Sequence, residues 1–261
     1  MPEYLDVEQA KAADGLRLVL TAGVPGPWGE AAKGLFYVKK IPYMAVAQQG
    51  GAVNQELRDW TGFDNAPQAI YRDERPRIGW SEIILLAERL EPSPPLVPDD
   101  PRERVQMFGL MNEIAGEMGF AWCRRLQLFE PILSQPAKDL PAHVYEPLAH
   151  MAAKYGYSDA QARIAADRVS QIFGLLSQTL LEQRDRGLDY LVGARLSAAD
   201  IYWATFAAML EPLPEQQCPM SEFMRAQYTL TDSALLAAAD PILLEHRDRI
   251  YRDHLKLPLD F

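Results

Sequence analysis

The chain has 261 residues, 48% of them hydrophobic and 24% charged, a composition typical of a globular protein long enough for two modest domains. Its formal net charge of −10 argues against nucleic acid and anionic membranes as partners, and no apolar stretch approaches the roughly 20 residues that cross a bilayer. The two cysteines and four histidines lack the spacing of a disulfide framework or a zinc site, and the acidic N-terminal segment is not typical of a secretory signal, so we expect a cytoplasmic protein without a metal.

The first part of the chain alternates strand and helix patterns. Residues 16–22 are aliphatic and β-branched and predict a buried strand. A helix follows, with Gly26 as its N-cap and Pro27 at its first position, and a second strand begins after Pro42. Strand, helix and strand within about 30 residues predict a βαβ unit with parallel strands.

The next elements are shorter. Residues 55–60 predict a short helix, and residues 66–72 predict a strand that pairs with a partner near residues 77–79. A further helix is expected at 81–90, with Ser81 as its N-cap. Residues 91–101 then hold five prolines, which excludes regular secondary structure over most of this stretch and indicates a linker.

Beyond the linker the hydrophobic pattern is helical. Apolar residues recur at spacings of three and four in residues 102–133, 158–186, 197–211 and 232–255. An α/β half followed by an all-α half predicts two domains, an α/β domain at 14–92 and an all-helical domain at 102–261, joined by a proline-rich linker at 93–101.

A capping box is the sharpest local signal. Ser197 and Asp200 have the spacing at which each side chain bonds to the backbone of the other, with Leu196 and Ile201 at the two hydrophobic staple positions. The residues that follow are apolar almost all round, so this pattern predicts a buried central helix.

Four motifs, in the right order over about residues 14–255, resemble the glutathione transferase superfamily, in a bacterial type of unassigned class. They are LVGARLSAADIYWATF around the capping box, PWGEAAKGLFYVKKIPY near the N-terminus, the pair Ala66-Pro67, and Ser81 fourteen residues later. The resemblance implies a thioredoxin-like N-terminal domain and a helical C-terminal domain. It also implies glutathione as co-substrate, a small-molecule electrophile as second substrate, and a homodimer.

The resemblance also implies which residues would hold glutathione. Ala66, before a cis Pro67, would bond the cysteinyl amide through its backbone, and Ser81 would bind the γ-glutamyl carboxylate. Pro27 would lie beside the sulfur at the start of the first helix. The Glu that the family often has before this Ser is replaced by Trp80.

A second departure concerns activation of the thiol. The family stabilises the glutathione thiolate with a Ser, Cys or Tyr near the start of the first helix, but the Ser/Cys position here is Gly26. Thr21 is the nearby hydroxyl, either facing the site or capping the strand. The backbone N–H of Trp28 belongs to a helix N-terminus that can hold an anion, and its ring could wall the site. Gly26, Trp28 and Thr21 are therefore the catalytic candidates.

The substrate pocket is expected on the first helix of the helical domain. Gly109, Gly116 and Gly119 interrupt this helix, which favours close packing or room for a ligand. Met111 and Asn112 are the pocket candidates, against the alternative that such methionines are core.

Three functions remain open. The first is a glutathione-dependent transferase acting on a small apolar electrophile, and the second is a non-catalytic protein of the same fold acting through protein interactions. The third is a glutathione-dependent lyase or dehalogenase. The Gly at position 26 and the lack of a CxxC motif argue against a thioredoxin-type oxidoreductase.

Overall fold

The computed structural model describes residues 3–133 and 141–261, and its N-terminal part is a four-stranded sheet. The strands are β1 (Tyr4–Leu5), β2 (Leu16–Thr21), β3 (Met44–Gln48) and β4 (Gln68–Tyr71), in the order β1-β3-β2-β4. β3 runs parallel to β1 and β2, and β4 is antiparallel to β2. The predicted parallel βαβ unit is therefore confirmed.

Helices cover both faces of this sheet. They are α1 (Val7–Ala12), α2 (Pro27–Val38), α3 (Gln55–Thr61) and α4 (Trp80–Leu90). Side chains alternate along β2, so Leu18 packs with α2 and α4 on one face while Val19 packs with α1 and α3 on the other. β1 and α1 precede residue 14 and belong to the same layered unit.

Two sequence-based expectations are wrong here. The segment near residues 77–79 is not a strand, because it joins β4 only through one bridge between Ala69 and Arg77. Ser81 is not an N-cap, since α4 begins at Trp80 and Gly79 occupies the cap position. The Glu82 carboxylate accepts the Gly79 N–H at 3.2 Å, and this bond fixes the helix start ahead of Ser81.

Helices make up the rest of the chain, and the described residues beyond 100 contain no strand. They are α5 (Pro101–Ala115), α6 (Phe120–Leu133), α7 (Ala142–Lys154), α8 (Asp159–Asp185), α9 (Ala198–Phe206), a short 3-10 helix (Ala207–Met209), α10 (Glu222–Tyr228), α11 (Ser233–Ala238) and α12 (Ile242–His254). In the parts of the chain that the structure describes, no helix combines the length and the apolar character needed to cross a membrane.

The central helix α9 is buried along its whole length, as predicted. The predicted pair of Ser197 and Asp200 caps its start through the Asp200 arm of the box, and the buried Asp200 carboxylate is the centre of the hydrogen bonds there. It accepts the Ser197 N–H at 2.8 Å and the Ser197 hydroxyl at 2.8 Å. It also accepts the Leu191 N–H at 2.7 Å and lies 3.0 Å from Nε2 of His246. Asp200 thus joins α9 to the preceding loop and to α12.

The two domains meet where α2 packs against α9. A Cβ on Gly34 would lie 2.9 Å from Cγ2 of Ile201 and 3.1 Å from Cδ2 of Leu255, so a glycine allows this close approach. Nearer the N-terminus of α2, the rings of Trp28 and Phe206 meet edge to face at 4.9 Å. These contacts fix the start of α2 at the boundary between the domains.

Candidate functional site

A cavity of about 450 Å³ lies between the sheet domain and the helical domain. The sheet domain contributes Thr21, Gly26, Pro27, Trp28, Ala66 and Pro67, so six residues singled out in the sequence come together here. The opposite wall comes mainly from α6, from the end of α7 and from α10. The cavity therefore has one wall from each domain.

The start of α2 opens into this cavity. Gly26 is the N-cap and Pro27 the first helical residue, as predicted. The N–H groups of Trp28 and Gly29 have no acceptor within the helix, because residues in a first turn have none. A Cβ on Gly26 would meet no heavy atom within 4 Å. The helix N-terminus is thus open to a ligand atom, and there is space for a larger residue at Gly26.

Thr21 lines the same cavity, but its hydroxyl is engaged. Oγ1 donates a hydrogen bond of 2.8 Å to Oε1 of Gln48, and Nε2 of Gln48 donates in turn to the Asp64 carbonyl at 3.2 Å. A hydroxyl has one proton to donate. In this arrangement Thr21 cannot also donate to a thiolate.

The Ala66-Pro67 peptide bond is cis, as the sequence motif predicted. Pro67 is buried, while Ala66 is half-buried at the cavity wall. Neither backbone polar group of Ala66 hydrogen bonds to another residue in the described part of the chain. Both groups are therefore available to a ligand.

Ser81 stands apart from this group. It is the second residue of α4, half-buried, and it is not among the described residues that line the cavity. Trp80, which precedes it, packs on Phe108 with ring centroids 6.2 Å apart. The sequence placed Ser81 at the ligand, and the cavity wall stops short of it.

Met111 and Asn112 do not line the cavity either. Met111 is fully buried in the core, and the Asn112 carbonyl accepts the Gly116 N–H at 2.9 Å where α5 ends. The chain turns tightly between Gly116 and Gly119, where α5 ends and α6 begins, and the cavity is lined by α6 and not by α5. The glycines do mark a break, as the sequence indicated, but the break separates two helices, α5 and α6, where the sequence predicted one interrupted helix.

Arg125 on α6 is the residue that sequence reasoning missed. Its guanidinium carbon lies 3.9 Å from the ring centroid of Tyr155, 4.4 Å from that of Trp28 and 5.5 Å from that of Trp122. Burial lowers the pKa of this guanidinium below its usual value. The signal was the spacing of Trp122, Arg125 and Leu128, which lie three apart and so share one face of a helix.

Among the described residues, the acidic side chains that line the cavity are Glu30 and Asp64, and both are paired. Glu30 bonds Lys33 at 2.9 Å, and burial raises the pKa of Glu30 in spite of this partner. Asp64 bonds Lys154 of α7 at 2.7 Å and also Arg58. Hydrogen bonds from Lys154 and Arg58 hold the pKa of Asp64 below its usual value.

The two cysteines are free and buried. Burial raises the pKa of Cys123 to about 11 and that of Cys218 to about 11, so both stay protonated near neutral pH. Among the described residues, no cluster of His, Cys, Asp and Glu could hold a metal ion.

Solved structures share this architecture. A glutathione S-transferase from Methylobacterium radiotolerans, in complex with glutathione sulfonate, matches with a TM-score of 0.60 at 16% identity over 92% of each chain. The chain has the glutathione transferase fold. The β-etherase LigF from Sphingobium sp. strain SYK-6 has this fold as well, with a TM-score of 0.62 at 18% identity over 92% of this chain and 97% of that one.

The nitrogen regulation fragment of the yeast prion protein Ure2p also has the glutathione transferase fold, with a TM-score of 0.61 at 13% identity over 92% of each chain. No family model and no curated protein matches the sequence. The predicted combination of a thioredoxin-like domain with a helical domain is confirmed by these matches.

Proposed function

We propose that this chain is a glutathione-dependent transferase that attacks a small electrophile. One observation carries the proposal: a single cavity holds the open N-terminus of α2 and the free backbone of Ala66 before a cis proline, facing a wall from the second domain. Proteins of the same fold have been crystallised with glutathione sulfonate and with two glutathione molecules. We also expect a cytoplasmic homodimer, as the sequence resemblance implies.

In the proposed complex, the Ala66 backbone bonds the cysteinyl amide and the sulfur lies near Gly26, Pro27 and Trp28. The γ-glutamyl carboxylate reaches toward the start of α4, where Ser81 offers a hydroxyl and a backbone N–H. The electrophile then lies against α6 and the end of α7. The cysteinyl amide, the sulfur and the γ-glutamyl carboxylate thus each have a proposed protein partner, and the reacting atoms meet between the domains.

The chemistry rests on the thiolate. A helix N-terminus stabilises an anion by about 0.3–2 kcal/mol, which lowers the thiol pKa by up to about 1.5 units. The thiol proton leaves to solvent, the sulfur forms a bond to the electrophilic carbon, and the leaving group departs with its electron pair. Because Thr21 donates to Gln48, backbone N–H groups supply the stabilisation.

A second candidate function is a non-catalytic protein that acts through protein contacts. The observation that favours it is the lack of a free side-chain donor at Gly26 and Thr21, where the family activates its thiol. The regulatory fragment of Ure2p shows that the fold serves other roles.

Calorimetric titration with glutathione separates the two candidates. We expect saturable binding at millimolar glutathione or below, and an increase in ultraviolet thiolate absorbance on binding near neutral pH. S-methylglutathione, which has no thiol proton, is the control for the absorbance. An absence of heat at millimolar glutathione would remove the transferase function and leave the interaction protein.

A further inference from the structure

Aromatic rings hold Arg125 in place inside the cavity. Its guanidinium lies against the rings of Tyr155 and Trp28 at 3.9 and 4.4 Å. Trp28 is itself fixed, because its Nε1 donates to the Ala115 carbonyl at 3.0 Å. A guanidinium that stacks on aromatic faces keeps its N–H donors in the plane of the group, where they can bind a carboxylate through two parallel hydrogen bonds.

Within the described residues, Arg125 has no carboxylate partner and no hydrogen bond. Its neighbour Arg124 is different, because it donates to the Met209 carbonyl at 2.9 Å and to Gln127 at 2.7 Å. The two acids of the cavity, Glu30 and Asp64, are already paired. A partly buried cation without a counter-ion is costly, so an anionic ligand would satisfy this site.

The position of Arg125 indicates which ligand brings the anion. It lies on α6, in the wall contributed by the helical domain, whereas the backbone groups proposed for glutathione belong to the sheet domain. Leu128, Met209 and Tyr228 line the cavity on the same side and suit an apolar ring. An aromatic or otherwise apolar body with one anionic group matches both features.

Building on the proposed function, we propose that the electrophile carries a carboxylate, which Arg125 binds while the thiolate at the start of α2 attacks the reactive carbon. Arg125 touches the carboxylate and is a specificity-determining residue. For a chloronitrobenzoate, the sulfur forms a bond to the ring carbon that bears chlorine, and chloride leaves with the electron pair. The thiol proton passes to solvent, and the carboxylate is unchanged.

The test compares 4-chloro-3,5-dinitrobenzoate with its methyl ester as substrates. For each substrate, kcat/KM is divided by the rate constant of the uncatalysed reaction with glutathione, which corrects for the different reactivity of acid and ester. We expect kcat/KM for the acid to exceed that for the ester in the wild type. Arg125→Met should lower the acid value by roughly 10- to 100-fold, the range for a hydrogen bond to a charged group, and should leave the ester value nearly unchanged. Arg125→Lys should keep part of the preference.

Arg104→Met is the matched control. Arg104 also stacks on an aromatic ring, 5.3 Å from the Phe108 centroid, but it is exposed and outside the cavity. Its replacement should leave kcat/KM unchanged for both the acid and the ester. Circular dichroism and thermal unfolding check that each variant is folded. If Arg125→Met does not fold, Arg125→Lys replaces it in the comparison of acid and ester.

Three outcomes would overturn the inference. The first is no preference for the acid, and the second is a preference that survives Arg125→Met. The third is an equal loss on both substrates together with a raised pKa of the bound glutathione thiol, which would assign Arg125 to the thiolate. The proposed transferase function and the proposed carboxylate site are tested separately, because glutathione binding is measured independently of the preference for the acid over the ester.

If glutathione does not bind, anion binding is still measurable without it. Quenching of tryptophan fluorescence by 3,5-dinitrobenzoate should saturate, should exceed quenching by the methyl ester, and should be lost in Arg125→Met. Equal quenching by acid and ester in the wild type would contradict an anion site at Arg125.

Discussion

The two walls of the cavity are built in different ways. The sheet domain presents backbone groups and small residues, namely the start of α2 at Gly26 and the cis pair Ala66-Pro67. The helical domain presents long side chains, with Arg125 and Tyr155 in contact across α6 and α7. Backbone contacts suit a constant ligand, whereas side chains can change from one protein to the next. In the proposed complex, the shared co-substrate would therefore lie on one wall and the variable substrate on the other.

α9 contacts α2 in one wall and Phe120 of α6 in the other, and Asp200→Ala gives the largest effect we expect. The change leaves the buried N–H groups of Leu191 and Ser197 without an acceptor. At about 1–3 kcal/mol for each such group, the protein should lose about 3 kcal/mol or more of unfolding free energy. Urea unfolding followed by circular dichroism measures this loss.

Ser197→Ala is the graded control for that experiment. It removes the hydroxyl bond to Asp200 and keeps the backbone bonds, so it should cost about 1 kcal/mol. We expect one cooperative transition in both variants. Two separate transitions would show that the walls are stabilised independently, and an unchanged midpoint in Asp200→Ala would contradict the role given to this carboxylate.

Gly26→Ser tests the wall made of backbone. A Cβ at this position meets no heavy atom within 4 Å, so there is space for a serine whose hydroxyl would donate to the proposed thiolate. A charged hydrogen bond of this kind should raise the conjugation rate for a simple neutral aryl halide about 10-fold and lower the pKa of bound glutathione. Gly26→Ala controls for the added Cβ. A serine variant no faster than the alanine variant would place the sulfur elsewhere.

Ser81→Ala tests how far along the sheet domain the ligand reaches. Loss of one hydrogen bond to a carboxylate should weaken glutathione binding roughly 10-fold without changing thermal stability, because Gly79 and Glu82 cap the helix. Calorimetry gives the dissociation constant. Unchanged affinity would be consistent with the position of Ser81 outside the cavity lining. The γ-glutamyl group would then bind another residue.

The smallest effect concerns the link between the walls at Asp64 and Lys154. The pKa of Asp64 is lowered in the folded protein, so its contribution to stability is present above the unfolded pKa of about 3.9 and is lost as pH falls through the folded pKa. Asp64→Asn should cost under about 1 kcal/mol near neutral pH, since the pair is partly exposed. Thermal melts of both proteins should converge in acid, and a gap that persists there would point to another cause.

The sequence predicted the sheet-domain wall better than the helical one. Gly26 and Pro27 are local features, because a helix cap is decided by a few adjacent residues, whereas the cis Ala66-Pro67 bond was implied by the family resemblance. Ser81 was misassigned as a cap because Glu82 competes for the same backbone groups. Capping and turn patterns therefore predict only features that a few adjacent residues decide, and competition between neighbours such as Ser81 and Glu82 can displace a predicted cap.

The spacing of Trp122, Arg125 and Leu128 indicates only that Arg125 shares a helix face with them. Its partners are distant in sequence: Tyr155 lies at the end of α7, and Trp28 meets Arg125 only where the two domains pack. α7 and α10 both lie outside the segments in which the hydrophobic pattern predicts helices. The helical wall depends on tertiary contacts that no short window of sequence contains.

Gly34 has a consequence for how mutational data on this protein would be read. It lies eight residues beyond Gly26 on α2, about 12 Å along the helix axis, and it lines the cavity at neither wall. A side chain there would come within 2.9 Å of Ile201, so we expect α2 to shift and to carry the proposed sulfur position with it. A screen that scores activity alone would therefore rank Gly34 with the ligand contacts, although its role is that of a spacer between two helices.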